Sequence, residues 1–263
     1  CAMSLSTDLN TKYGRSYLTF EDVDRAQKDI SVFDDGMNGN LSSSEEEVFV
    51  QLMQSQLFNP DSPENGFFIV DEDEVVGGMT SESKNASSPK DTLEFKREID
   101  TLKQSAEDKG LLYVTKDEFD LSNTMATRLK KSFTWQNALS GQKFGEIFNS
   151  STVGVGTFSG EVNTIDGSIV SFKEITNEAD EWESEVSSKN YDMEAYINYI
   201  ATGKSTYWIV QENTSPYLAA FYKSGTTILN AGKAKLDVVL DNIQDFLDDH
   251  PNDPDEYSYS KTL

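Results

Sequence analysis

The residues best placed to do chemistry lie in one stretch, Asp34-Asp35-Gly36-Met37-Asn38-Gly39-Asn40-Leu41-Ser42-Ser43-Ser44-Glu45, where oxygen-bearing side chains recur along a short acidic loop. A hard cation such as calcium takes about six to eight oxygens, and a loop of about twelve residues can supply them if alternate residues face inward and a glycine allows the sharp turn. In that frame Asp34 offers the opening carboxylate, Asn38 a side-chain carbonyl, Asn40 its backbone carbonyl, Ser42 a water-mediated contact and Glu45 the closing bidentate carboxylate. Gly39 stands at the turn and Leu41 where the loop would be anchored. Gly36 leaves the third position without an oxygen, to be made up by Asp35 or water, so binding would be weak. The alternative is an acidic loop that binds nothing.

Two helices must hold such a loop. Thr19 is a good N-cap for a helix carrying Phe20, Val23, Ala26, Ile30 and Phe33 at three- and four-residue spacing. Beyond the loop, Ser44 and Glu47 have the spacing of a capping box, and Phe49, Leu52, Met53 and Leu57 line one face of a second helix that stops before Pro60.

With ligand spacing, turn glycine, anchor and both helices in place, residues 19–57 resemble the EF-hand family. EF-hands pair through their loops, and residues 107–118 fit the frame of a partner, with Val114 as anchor and Glu118 closing. Lys109 and Leu111 replace ligand oxygens there, so the resemblance implies a metal-free structural partner. It implies calcium as the cofactor, held at the first loop only.

The charge balance narrows the partners. With 46 acidic against 22 basic residues and a net charge of -24, the chain as a whole repels a phosphate backbone and favours cations or a protein with a basic surface. Asp237, Asp241, Asp245 and Asp249 recur every four residues on the last helix. Like charges at that spacing oppose each other, so a basic partner docking there would offset a cost; a solvated face is the plainer reading. The one cysteine, Cys1, excludes a disulfide framework and leaves a lipid-carrying terminus open. One His and one Cys leave little for a nucleophile-base pair or a zinc site, and 202–205, Thr-Gly-Lys-Ser, runs from helix to strand, the wrong order for a phosphate cradle. No apolar run is long enough to span a membrane.

The remaining pattern predicts a linker or insertion with at most one short strand over 59–88, a helix beginning near Ser88, and another near Thr115, which with Glu118 has the spacing of a capping box. After these come strands at 152–159 and 168–175 around an Asp166-Gly167 turn, a helix over 176–201, strands at 206–211, 217–223 and 226–229, and a closing helix striped by Leu236, Val239, Leu240, Ile243, Phe246 and Leu247. This element order is similar to the roadblock and profilin-like folds, which implies protein binding. The expected class is α+β: an N-terminal arm over 1–18, a helical EF-hand-like part over 19–134, an antiparallel-sheet part over 135–250 and an acidic tail over 251–263. The expected function is a non-catalytic, calcium-responsive protein-interaction module, intracellular unless Cys1 carries a lipid. An acidic inhibitor acting by charge mimicry on a basic partner and a lipoprotein anchored at Cys1 are the alternatives.

Overall fold

The computed structural model describes residues 2–39, 44–132, 135–136, 146–153, 156–165, 168–175 and 182–250. In chain order its elements are α1 (Ala2–Tyr13), α2 (Phe20–Lys28), α3 (Ile30–Met37), α4 (Glu45–Phe58), β1 (Phe67–Val70), α5 (Glu72–Gly78), α6 (Ser81–Lys84), α7 (Leu93–Asp108), β2 (Leu112–Thr115), α8 (Lys116–Lys130), β3 (Glu146–Val153), β4 (Gly156–Ile165), β5 (Ser168–Ile175), α9 (Trp182–Ser188), α10 (Tyr191–Thr202), β6 (Thr206–Glu212), β7 (Ala219–Lys223) and α11 (Thr226–Asp249). The class is α+β, as the sequence leads one to expect.

The chain divides into two compact units. The first takes residues 1–42, 142–210 and 218–263, the second 43–141 and 211–217. The N-terminal helices thus share a unit with the C-terminal sheet, and the division falls within the stretch 34–45.

In the first unit, β3 to β7 form a five-stranded sheet in sequence order. β3, β4 and β5 are an antiparallel meander. The Ile169 amide at the start of β5 donates to the Ser205 carbonyl just before β6, so β5 and β6 begin side by side and run in the same direction. α9 and α10 make the crossover that a parallel neighbour requires. The sheet is therefore mixed, where the sequence reading expects it to be antiparallel. α10 is buried on two sides. Met193 and Ile197 join Leu5, Leu9, Val23, Phe33, Leu236 and Ile243 in one core, while Ala195 faces Trp182, Trp208 and Val210 in another.

In the second unit, β1 and β2 pair in parallel, Phe68 opposite Tyr113 and Val70 opposite Thr115. Phe95 and Ile99 of α7 pack with Val70, while Phe68, Val75 and Tyr113 lie against that cluster. α4 packs beside α8, joined by the Gln56 side chain donating to Ser122 Oγ at 3.4 Å and by Lys130 Nζ donating to the Gln56 carbonyl at 2.6 Å. Burial holds the Lys130 ammonium below its usual range.

Several expectations change. The segment 59–88 contributes to this unit the one short strand the sequence allows and two helices that it does not lead one to expect. The helix expected over 19–33 is two helices, because Asp29 is extended (φ -162°, ψ 124°) and caps α3 by accepting from the Ser31 amide at 2.8 Å. The helix expected over 176–201 is broken at Asn190, which is left-handed with φ 59°; its first six residues lie outside the described ones. The strand expected at 152–159 crosses the end of β3 and the start of β4, and Asp166-Gly167 also lies outside the described residues. Residues 226–229, mostly β-branched and so read as a strand, form the first turn of α11, where Ile228 and Leu229 cover the Trp182 cluster.

Candidate functional site

Successive strand residues point to opposite faces of a sheet. On β5 this puts Ser171 and Lys173 together, away from Phe172, which is fully buried. Their face meets α10 at Glu194. Lys173 Nζ lies 3.0 Å from Glu194 Oε2, with the two side chains 12% and 14% exposed, and Ser171 Oγ donates to Glu194 Oε1 at 3.2 Å. The same ammonium sits 4.1 Å from the centroid of the Tyr191 ring, which stacks on Trp182 with centroids 5.0 Å apart. A lysine and a carboxylate are thus held at the edge of an aromatic core. The effective dielectric there is well below that of water, which strengthens each one's interaction with an incoming charge.

Two neighbours fix α10 in place. Asp192, 1% exposed, is reached by Lys235 of α11: Nζ donates to Asp192 Oδ1 at 3.1 Å and stands 2.9 Å from Oδ2 outside hydrogen-bonding geometry. Lys235 also donates to the Ser187 carbonyl at 2.6 Å. At the N-terminus of the helix, buried Asn190 donates to Asp24 Oδ1 at 2.9 Å and to Gln27 Oε1 at 3.1 Å. Together these contacts tie α10 to α9, α11 and α2, so Glu194 is presented from a fixed support.

Of the residues singled out in the stretch 34–45, Asp34 and Glu45, at its two ends, are helical. Residues 30–37 are helical, so Asp34, Asp35, Gly36 and Met37 are wound into α3. Asp34 is already engaged. Its Oδ1 accepts the Tyr13 hydroxyl at 2.5 Å and lies 3.7 Å from Lys12 Nζ. Burial, and then the hydrogen bond to Asp34, push the Tyr13 phenol above its usual range. The Asn38 side chain donates to the Asp34 carbonyl at 2.9 Å. Asn40, Leu41 and Ser42 lie outside the described residues, and Glu45 is exposed in the first turn of α4, in the other unit. A Cβ at Gly36 would come within 2.7 Å of Arg25 Nη1, the end of a flexible side chain that can move aside. Val114 pairs with Ile69 in a parallel strand rather than across an antiparallel loop contact. Among the described residues no three His, Cys, Asp or Glu converge closely enough to hold a metal ion. On α11, Asp241, Asp245 and Asp249 are exposed, and Asp237 pairs with Lys233.

No family model matches the chain, and no curated protein matches it. Among solved structures the chain is similar to "Putative exonuclease" from Eubacterium rectale. The identity is 13%, the TM-score 0.55, and the match covers 92% of this chain and 84% of that one. These findings overturn the EF-hand resemblance, which no family model supports and which the winding of residues 30–37 into a helix removes at the level of geometry. The likeness to a roadblock or profilin-like fold is likewise replaced. So is the non-catalytic reading, with its calcium-responsive module, charge-mimicking inhibitor and lipoprotein, because the fold similarity leads to a protein named as an enzyme. Among the described residues no helix is long and apolar enough to cross a membrane.

The Lys173 and Glu194 pairing escapes sequence reading because the two are 21 residues apart on different elements. The only signal was the polar Ser171 and Lys173 alternating with apolar Val170 and Phe172 in a strand, which marks a face but not what covers it.

Proposed function

We propose that the chain is a nuclease-type hydrolase, cleaving phosphodiester bonds, with Lys173 and Glu194 in its working site. The observation that carries this reading is the similarity of fold over 92% of the chain to a protein named as an exonuclease. The chemistry of the pair suits it. An ammonium can neutralise charge that builds on a phosphate oxygen, and a carboxylate in reach of water can accept its proton. At 3.0 Å the two groups neutralise each other. A substrate phosphate therefore competes with Glu194 for Lys173, and in winning it frees the carboxylate to act as a base.

The net charge of -24 opposes substrate approach. Salt screens that repulsion, so turnover should hold up or rise as salt is first added, where a basic nuclease would lose affinity. The experiment is digestion of end-labelled single- and double-stranded DNA and RNA, with divalent cations supplied. Wild type should release nucleotides, and Lys173→Met and Glu194→Gln should each lose about a hundredfold or more in rate with unchanged circular dichroism. If correctly folded wild type leaves every substrate intact, the reading fails.

A further inference from the structure

The second unit carries a cleft of about 500 Å³ between α5, α7 and β1. It lies wholly within that unit and does not rest on the nuclease reading. Phe68 and Val70 of β1 form its floor, with Val75, Met79 and Leu102 on the walls. All but Val70 are only partly buried, so apolar surface stays open to solvent. This volume is within the range of about 300–1,000 Å³ usual for binding clefts.

The rim is acidic on both sides. Glu94, Glu98 and Leu102 follow one another at four-residue spacing along α7, which puts them on one line of the helix. Asp71 and Glu74 stand opposite, before and within α5. Asp71 is paired with Lys116 at 2.8 Å. The Glu94 carboxylate accepts from neutral groups, the Thr80 amide at 2.9 Å and the Thr80 hydroxyl at 2.6 Å, and so keeps its charge uncompensated. Hydrogen bonds from Ser83 and Thr80 hold its carboxyl below the usual range, so that charge persists into mild acid. Neither Glu74 nor Glu98 has an ion-pair partner among the described residues, while Lys90 is spent on Glu72 and Asp73.

An apolar trough edged by three carboxylates that have no ion-pair partner among the described residues is complementary to a segment with apolar residues on one side and lysines or arginines on the other. We infer that this cleft docks a basic amphipathic segment of a partner protein, its apolar side chains on Phe68, Val75 and Leu102 and its cations on Glu74, Glu94 and Glu98. A nucleic acid would be repelled by that rim, and a neutral apolar peptide would leave the carboxylates unpaired at the contact.

The test uses the full chain and a fluorescein-labelled peptide of about sixteen leucines and lysines, with leucine at helical three- and four-residue spacing. Its control has the same composition in strict alternation. Anisotropy should show the first binding at least about tenfold more tightly than the second. The Glu74→Lys, Glu98→Lys double variant, both positions being exposed, should weaken binding at least about tenfold. An equal charge change on the other unit, Asp241→Lys with Asp245→Lys, should weaken it by less than about threefold. Equal weakening by both pairs, equal binding of both peptides, or no binding by wild type at millimolar peptide would each overturn the assignment.

Discussion

Gly232 of α11 lies directly against the backbone carbonyl of Asp192 on α10: a Cβ at that position would overlap the carbonyl oxygen and come within 3.0 Å of the Met193 amide nitrogen. The obstacle is backbone, which cannot swing aside as a side chain would. Gly232→Ala should therefore force the two helices apart and cost about 2–3 kcal/mol, despite alanine's better helix propensity. Chemical denaturation checks this; an unchanged midpoint would show that the helices have room to separate.

The same crossing holds the Asp192 and Lys235 pair. Lys235→Met leaves a buried carboxylate without its cation and should cost about 2–3 kcal/mol, while Asp192→Asn leaves a lysine, 26% exposed, that can turn to solvent, and should cost less. The double variant should recover part of the larger loss. A double-mutant cycle by denaturation measures the coupling, and strict additivity would mean the pair contributes nothing.

Tyr113 supplies a pH test. Burial, then the charges of Glu72 and Glu118, push its phenol up to about 12. A phenol whose folded value lies above its unfolded one, about 10, binds its proton more firmly when folded. It thus adds stability that is fully present below pH 10 and is lost as the pH rises from there towards 12. Comparing wild type with Tyr113→Phe by absorbance at alkaline pH should show one late-titrating phenol missing in the variant. The stability of wild type relative to the variant should fall across that window.

The Tyr13 hydroxyl engages the carboxylate of Asp34, a residue of α3. Tyr13→Phe keeps the ring, which meets Phe33 edge-on with centroids 6.1 Å apart, and removes only the hydroxyl. The expected loss is about 1 kcal/mol. Asp34→Ala should add little to it in the double variant, a non-additivity that thermal melts would read.

The misreading of residues 34–45 has a physical cause. Ligand spacing carries meaning only if the backbone is outside the helix, and the types Asp-Asp-Gly-Met do not decide that. Asp29 decides it by capping a new helix. Similarly, Phe67 to Val70 reads as a short apolar run among prolines and glycines, and nothing local says that its partner is Leu112 to Thr115, more than forty positions away.

What the sequence alone determined is what neighbours within a few residues can enforce. The capping boxes at Ser44 and Glu47 and at Thr115 and Glu118 form as their spacing predicts, because donor and acceptor are three residues apart. The stripe from Leu236 to Leu247 buries as one face, apart from Phe246, which is partly covered, because a helix of period 3.6 leaves it no alternative. Tertiary structure alone decided that β6 runs beside β5, that Lys173 meets Glu194, and that Glu94 and Glu98 face a cleft rather than bulk solvent. Each of these depends on which faces of distant elements pack together. That choice is made by the burial of the whole unit and not by any short stretch of the chain.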